Sequence, residues 1–175
     1  MNASRVAGLT AAIFVALATQ SNAQPGSLGG DLARDWTSQM ATMMATADAM
    51  PEDTFSFKPT DAQRDFGQQL LHVAGANVGL MGILDPEVTV PTINQAATEK
   101  AAILEALNAS FDYGAAVLET MSDAELQEGI QGPAFMGEGT RARFVYRAMM
   151  HTEDIYGQMV VYLRLNGIVP PASRP

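Results

Sequence analysis

The chain holds two histidines, His72 and His151, and no cysteine. A transition metal must therefore be bound through nitrogen and oxygen, and thiolate nucleophiles, thiolate ligands and internal disulfide chemistry are excluded. Both histidines fall in long segments of helical apolar periodicity, on the faces read as inward. Side chains from two helices can meet in the core of a bundle and hold a metal there. A lone buried histidine is more often a hydrogen-bonded core residue, so the pair leaves a structural and a chemical reading open. Asp154 follows His151 by three positions, about 60° away on a helix that turns about 100° per residue, whereas Glu153 falls nearly opposite. His72, His151 and Asp154 together form a candidate site for zinc, nickel or iron, with solvent or substrate completing the shell. Asp154 also reads as a solvated acid, or as an acceptor that orients a histidine.

The elements that position these residues follow from periodicity. Leu32, Trp36, Met40, Met43, Met44 and Ala47 recur at spacings of three and four and predict a helix over 31–50, stopped by Pro51. Its methionines read as core packing rather than as soft metal ligands. Thr60-Asp61-Ala62-Gln63 has the form of a capping box and predicts a second helix from Asp61, with Phe66, Leu70, Val73, Asn77, Leu80 and Leu84 inward, ending at Asp85-Pro86. Residues 87–97 follow Pro86, contain Pro91 and read as a loop. A third helix is predicted over about 98–121, with Ile103, Leu104, Leu107, Phe111, Val117 and Leu118 inward. Ser122-Asp123-Ala124-Glu125 is another capping box opening a short helical turn, and the glycine-rich stretch 129–139 reads as irregular. The last helix is predicted from Thr140 to Asn166, with Phe144, Met149, Tyr156, Val160 and Leu163 inward. Gly167 suits a left-handed cap there, and Pro170-Pro171 forbids continuation. Within this helix Tyr156-Gly157-Gln158 and Arg164 can be read as polar groups around a pocket, but core or capping roles are the stronger reading: Gly157 is expected to permit close packing, Tyr156 and Tyr162 to bury their rings with wetted hydroxyls, and Arg164 to balance the carboxyl end. Four long amphipathic helices without a convincing strand predict an all-α four-helix bundle.

At the N-terminus, Arg5, an uncharged apolar run over 6–18 and Ser21-Asn22-Ala23 have the form of a secretory signal peptide cut after Ala23. The run is shorter than the ~20 residues needed to cross a bilayer. The expected organisation is a signal peptide over 1–23, a flexible tether over 24–30 and one domain over 31–175, in a periplasmic or secreted protein with no stable membrane insertion. The whole chain has ten Lys and Arg against nineteen Asp and Glu. Cleavage removes Arg5 and no acid, which leaves nine against nineteen and a formal charge of −10. Such a surface disfavours nucleic acid and anionic membranes as partners. A partner is expected to be a small molecule or a protein, a second copy of the chain included. No Ser-His-Asp order, phosphate-binding loop or nucleotide fingerprint is present.

From Trp36 to Ser173 the sequence resembles the DinB/YfiT-like family, in particular its secreted members. The resemblance is carried by Ala47-Asp48-Ala49-Met50-Pro51-Glu52, by Phe57-Lys58-Pro59-Thr60, by Phe66-Gly67 before Leu71-His72-Val73-Ala74, and most specifically by the stretch from Tyr156-Gly157-Gln158 through Asn166-Gly167 to Ser173. It implies a four-helix bundle with a metal triad: one histidine on the second helix and a His-x-x-x-His pair on the fourth. His72 matches the first position and His151 the second. The third falls on Ile155, which cannot bind a metal, so the resemblance implies either weakened or lost metal binding or compensation by Asp154 and solvent. Relatives of this kind include metal-dependent thiol transferases and hydrolases.

Two readings of function follow. One is a metal-assisted hydrolase or transferase, with an ion on His72 and His151 acting as Lewis acid or activating water. The other is a metal-free bundle of the cell envelope that binds a small ligand or a protein. The expectation of export has a direct check: mass spectrometry of the periplasmic protein should find Gln24, intact or cyclised, at the N-terminus, and a chain retaining Met1 in the membrane fraction would refute it.

Overall fold

The computed structural model describes residues 26–84 and 86–174; the expected signal peptide lies outside them. Four long helices, α1 (Leu28–Ala49), α2 (Phe66–Gly82), α3 (Lys100–Glu119) and α5 (Arg141–Leu165), form the bundle, joined by a short α4 (Asp123–Gln127) and a two-stranded antiparallel hairpin of β1 (Gly129–Gln131) and β2 (Glu138–Thr140). The all-α bundle read from the sequence is the observed class.

The helices close a ring in which α2 packs on α3 and α5, and α1 on α3 and α5. Consecutive α1 and α2 are thus diagonal. Contacts of Asp48 with Lys100 and of Trp36 with Phe111 make α1 and α3 antiparallel. Contacts of Gly67 with Ile103 and of Asn77 with Ser110 make α2 and α3 parallel. Parallel neighbours need a connection that runs back the length of a helix. The segment 83–99 supplies it, and Gln95 lies across α2, donating from Nε2 to the Leu71 carbonyl at 3.1 Å and covering Gly75.

Helix starts are where the sequence reading needs correction. The first helix begins inside the expected tether. Ser27 Oγ accepts from Gly30 N, and the Asp123 carboxylate accepts from Leu28 N at 3.0 Å and Gly29 N at 2.8 Å, so three free N–H groups are satisfied, two of them from 95 and 94 residues away. The second helix begins at Phe66 rather than Asp61. Thr60 and Gln63 close only one turn, Thr60 Oγ1 donating to Gln63 Oε1 at 3.2 Å. The capping box is Asp65 with Gln68, whose bonds are 2.7 and 3.0 Å. Phe66 N and Gly67 N find the carbonyls of Phe57 and Phe55. Those tertiary acceptors exist only for a helix starting at Phe66. The box at Ser122 forms as read.

The hairpin spans 129–140, against the expectation of no strand; its strands of three residues are too short for an alternating pattern to register. On α5 the fully buried positions are Phe144, Val145, Ala148, Thr152, Ile155, Met159, Tyr162 and Leu163, while Met149, Tyr156 and Val160 are half-buried. The buried stripe is rotated from the one read, with the small Ala148 and Thr152 fully buried on it. Gly167 adopts φ +72° at the end of α5, as its cap role requires.

Trp36 is fully buried, its Nε1 donating to the Phe111 carbonyl at 2.8 Å and its ring lying in the notch left by Gly114. A Cβ at Gly114 would overlap that ring, whereas one at Gly157 meets nothing within 4 Å, so Gly157 is not a packing glycine. Gly114→Ala should lower stability by about 1–3 kcal/mol through overpacking. Gly157→Ala should raise it by about 0.5–1 kcal/mol through helix propensity alone. Urea unfolding midpoints of the two variants should move in opposite directions; a shift of the same sign for both would refute the packing assignment.

Candidate functional site

The antiparallel pairing of α2 with α5 brings the two histidines together. His72 Nε2 and His151 Nε2 are 3.0 Å apart, with ring centroids 4.8 Å apart and ring planes inclined at 68°. Both side chains are half-buried. On the same seam, Tyr162 OH donates to the Arg64 carbonyl at 2.7 Å, Gln69 Nε2 donates to Gln158 Oε1 at 2.8 Å, and Thr152 Oγ1 donates to Asn77 Oδ1 at 3.1 Å. The sequence reading missed Gln69 and gave Gln158 a packing or capping role. The signal available for Gln69 was its place one turn before His72 on the same face.

Asp154 is not gathered to the two imidazoles. It is exposed, and its Oδ2 accepts from Gln158 Nε2 at 3.1 Å. Its carboxylate still acts on His151 at a distance, favouring the protonated ring. Glu153 faces α1, where Gln39 Nε2 reaches both Glu153 Oε1 and the Met149 carbonyl. Among the described residues no three His, Cys, Asp or Glu side chains cluster as a metal site. Ile155, one turn beyond His151, is 5% exposed and belongs to the core.

Burial is the main cause that depresses both imidazoles below the usual histidine range. Arg64 and then His151 add to the effect on His72. On His151 the pull of Asp154 upward is opposed by Arg64 and Arg147. Both rings are therefore neutral near pH 7, and one Nε2–H can donate to the other Nε2. The direction of that bond follows from the outer nitrogens. His151 Nδ1 is buried without a partner among the described residues. A stranded N–H costs more than a bare lone pair at such a place, so His151 carries its proton on Nε2 and donates. His72 accepts and keeps its proton on Nδ1, beside an open cavity of about 300 Å³ lined by Arg64, Gln68, Leu71, His72 and Gln95.

Residues 36–159 match the family model of the DinB superfamily. The chain belongs to the DinB superfamily. Among solved structures, a DinB-like protein from Bacillus cereus superposes with a TM-score of 0.72 at 15% identity, over 81% of this chain and 95% of that one. The DinB-like protein YjoA from Bacillus subtilis gives 0.62 at 16% identity, over 78% and 92%. At such identities these two establish a shared bundle. No curated protein sequence matches.

The metal implied by the resemblance to the DinB family can be tested against this geometry. Two imidazole nitrogens bonded at about 2.0–2.1 Å to one ion stand roughly 3 Å apart for ligand angles near 90–100°, and the observed 3.0 Å lies there. Two ligand positions fit. The third is hydrocarbon at Ile155, and metal on both Nε2 atoms would oblige His151 to hold an N–H at its unpartnered Nδ1. The donor set suits a metal on two imidazoles and not a three-histidine centre.

The depressed pKa values carry a sign. As pH falls from about 7 to 5, unfolded histidines with pKa near 6.5 take up protons that the folded pair resists. The unfolded state then binds more protons and stability drops; above about pH 7 both states are neutral and the contribution is constant. Urea midpoints of EDTA-treated protein should fall across that window, and fall less for His72→Gln, which removes one of the two groups. A flat profile in the wild type would contradict the assignment of buried neutral rings.

Proposed function

We propose that this DinB-superfamily protein is an exported enzyme of the hydrolase or transferase class with a reduced metal centre, in which His72 and His151 bind a divalent transition metal weakly. The observation that carries the reading is the 3.0 Å separation of the two Nε2 atoms on facing helices. Zinc, nickel and iron suit such nitrogen ligands, and when bound the ion supplies Lewis acidity toward a substrate oxygen or a bound water. His72 lines the open cavity and His151 does not. Ile155 and the buried Nδ1 of His151 both act to lower affinity. Without metal, the hydrogen-bonded pair offers His72 as a neutral imidazole whose Nδ1–H meets the cavity. The signal-like N-terminus supports export, since its apolar run is flanked as a cleaved leader would be.

The deciding experiment restores the missing ligand. Ile155→His places a third imidazole about one turn beyond His151 on the same helical face. Without metal the variant should be less stable than wild type by roughly 1–3 kcal/mol, because a polar group replaces a packed one. With zinc in excess, its melting temperature should rise well above its own metal-free value, and more than that of wild type under the same conditions. Metal analysis of tag-free protein should find more zinc per chain in the variant. If Ile155→His is merely destabilised and neither protein takes up zinc, nickel or iron, the pair is structural and the ligand-binding bundle replaces the enzyme.

A further inference from the structure

The cavity beside His72 is furnished with hydrogen-bond donors and has no carboxylate in its wall. Its two glutamines are each engaged on one side: Gln68 Oε1 accepts from Asp65 N, and Gln95 Nε2 donates to the Leu71 carbonyl. The donors these lining residues have left to offer are the Arg64 guanidinium, Gln68 Nε2 and the Nδ1–H assigned to His72, with Gln95 Oε1 left as an acceptor. Arg64 is held in place from behind, since its carbonyl accepts the Tyr162 hydroxyl across the seam.

The guanidinium of Arg64 has no partner among the described residues, and neither has that of Arg147, one turn before His151, or that of Arg164 near the end of α5. Arg34, Arg141, Arg143 and Arg174 all donate to carboxylates or carbonyls. Among the described arginines only Arg34 and Arg141 reach a carboxylate, so what sets Arg64 apart is its place in the cavity wall. Two of the three unpartnered guanidiniums act on the histidine pair, Arg64 on both rings and Arg147 on His151. Arg64 thus brings an unpaired positive charge to this cavity.

We infer that the cavity lined by Arg64, Gln68 and His72 binds a small molecule through an oxyanion head group, a carboxylate or a phosphate monoester, with Arg64 as its anchor and Arg147 adding to the attracting field. The planar fork of a guanidinium matches both groups with two parallel hydrogen bonds. A cavity of about 300 Å³ lies at the small end of ligand sites, so the ligand is of metabolite size. The inference rests on the reading of the histidine pair as the reactive centre only for which end of the ligand is transformed; the anion site itself stands on the unpaired Arg64 guanidinium in a wall that holds no carboxylate.

The test is a titration of EDTA-treated full-length mature protein, followed by NMR of the histidine rings, with succinate, with glycerol phosphate and with neutral 1,4-butanediol. At least one of the two anions should shift the His72 signals and saturate, and the diol should not; the tighter of the two identifies the head group. Arg64→Gln should weaken binding by about tenfold or more, as loss of a charge-assisted bidentate contact does. Arg64→Lys should recover part of it, and Arg147→Gln should cost about threefold through the field alone. Binding of the diol as tight as that of the anions, anion affinity unchanged in Arg64→Gln, or no saturable shift with either anion would each overturn the inference. Zinc uptake by the Arg64→Gln variant separates the two claims: metal binding survives there if the metal reading is right, and anion binding to EDTA-treated wild type survives if only that reading is wrong.

Discussion

Polar groups buried between α2 and α5 must find each other, and this requirement sets the register of the bundle. Asn77 is fully buried; its Oδ1 accepts from Thr152 and its Nδ2 reaches Ser110 Oγ on α3 at 3.3 Å. A slip of one turn, about 5.4 Å, would leave the Asn77 amide and the Thr152 hydroxyl among hydrocarbon, at about 1–3 kcal/mol for each stranded group, while Ser110 Oγ keeps its bond to the Leu107 carbonyl. Apolar side chains tolerate such a shift far better. The Asn77–Thr152 bond therefore does for α2 and α5 what a buried asparagine does for a coiled coil. With that register fixed, His72 has to face His151, and Gln69 has to face Gln158.

The same seam sets the electrostatics. A pair of imidazoles in water would share protons freely near pH 6.5, but half-burial and two guanidiniums hold both rings neutral. A neutral ring is the form that binds a metal or accepts a proton. Arg64 and Arg147 thus have two effects of one sign: they disfavour imidazolium and favour an anion nearby. Asp154 pulls the other way on His151, but its exposed carboxylate is screened and already engaged by Gln158.

Helix periodicity made most of the fold legible, because it reports on burial of large apolar side chains: Trp36, Met43, Phe66, Leu70, Leu107, Phe111, Phe144 and Leu163 are all buried as read. What failed depended on partners distant in sequence. Asp123 caps α1, and the Phe55 and Phe57 carbonyls receive the first turn of α2; neither is visible in a local window, so two helix starts were misplaced. The buried stripe of α5 is rotated from the one read because Ala148 and Thr152 are small or polar and yet fully buried. Gly114 carries no local mark, although Trp36 depends on it. At the site, the two histidines followed from their faces. Arg64 lies before the first turn of α2, where helical phase says nothing about direction, and only the Tyr162 hydroxyl on its carbonyl fixes it beside the pair.

Ile155 explains how the pair can be polar without opening the bundle. A position one turn beyond His151 that is 5% exposed must be either apolar or fully paired, since a half-satisfied buried polar group is worse than hydrocarbon. A third histidine would meet that condition only with a ligand on it. Isoleucine meets it always, so the fold does not depend on what the site holds. The two remaining imidazoles satisfy each other through one hydrogen bond, and the buried Nδ1 of His151 fixes which ring donates. On its inner side the pair keeps only the bare Nδ1 lone pair of His151, and on its outer side His72 lines the cavity, where Arg64 lies and the crossover segment bearing Gln95 forms the remaining wall.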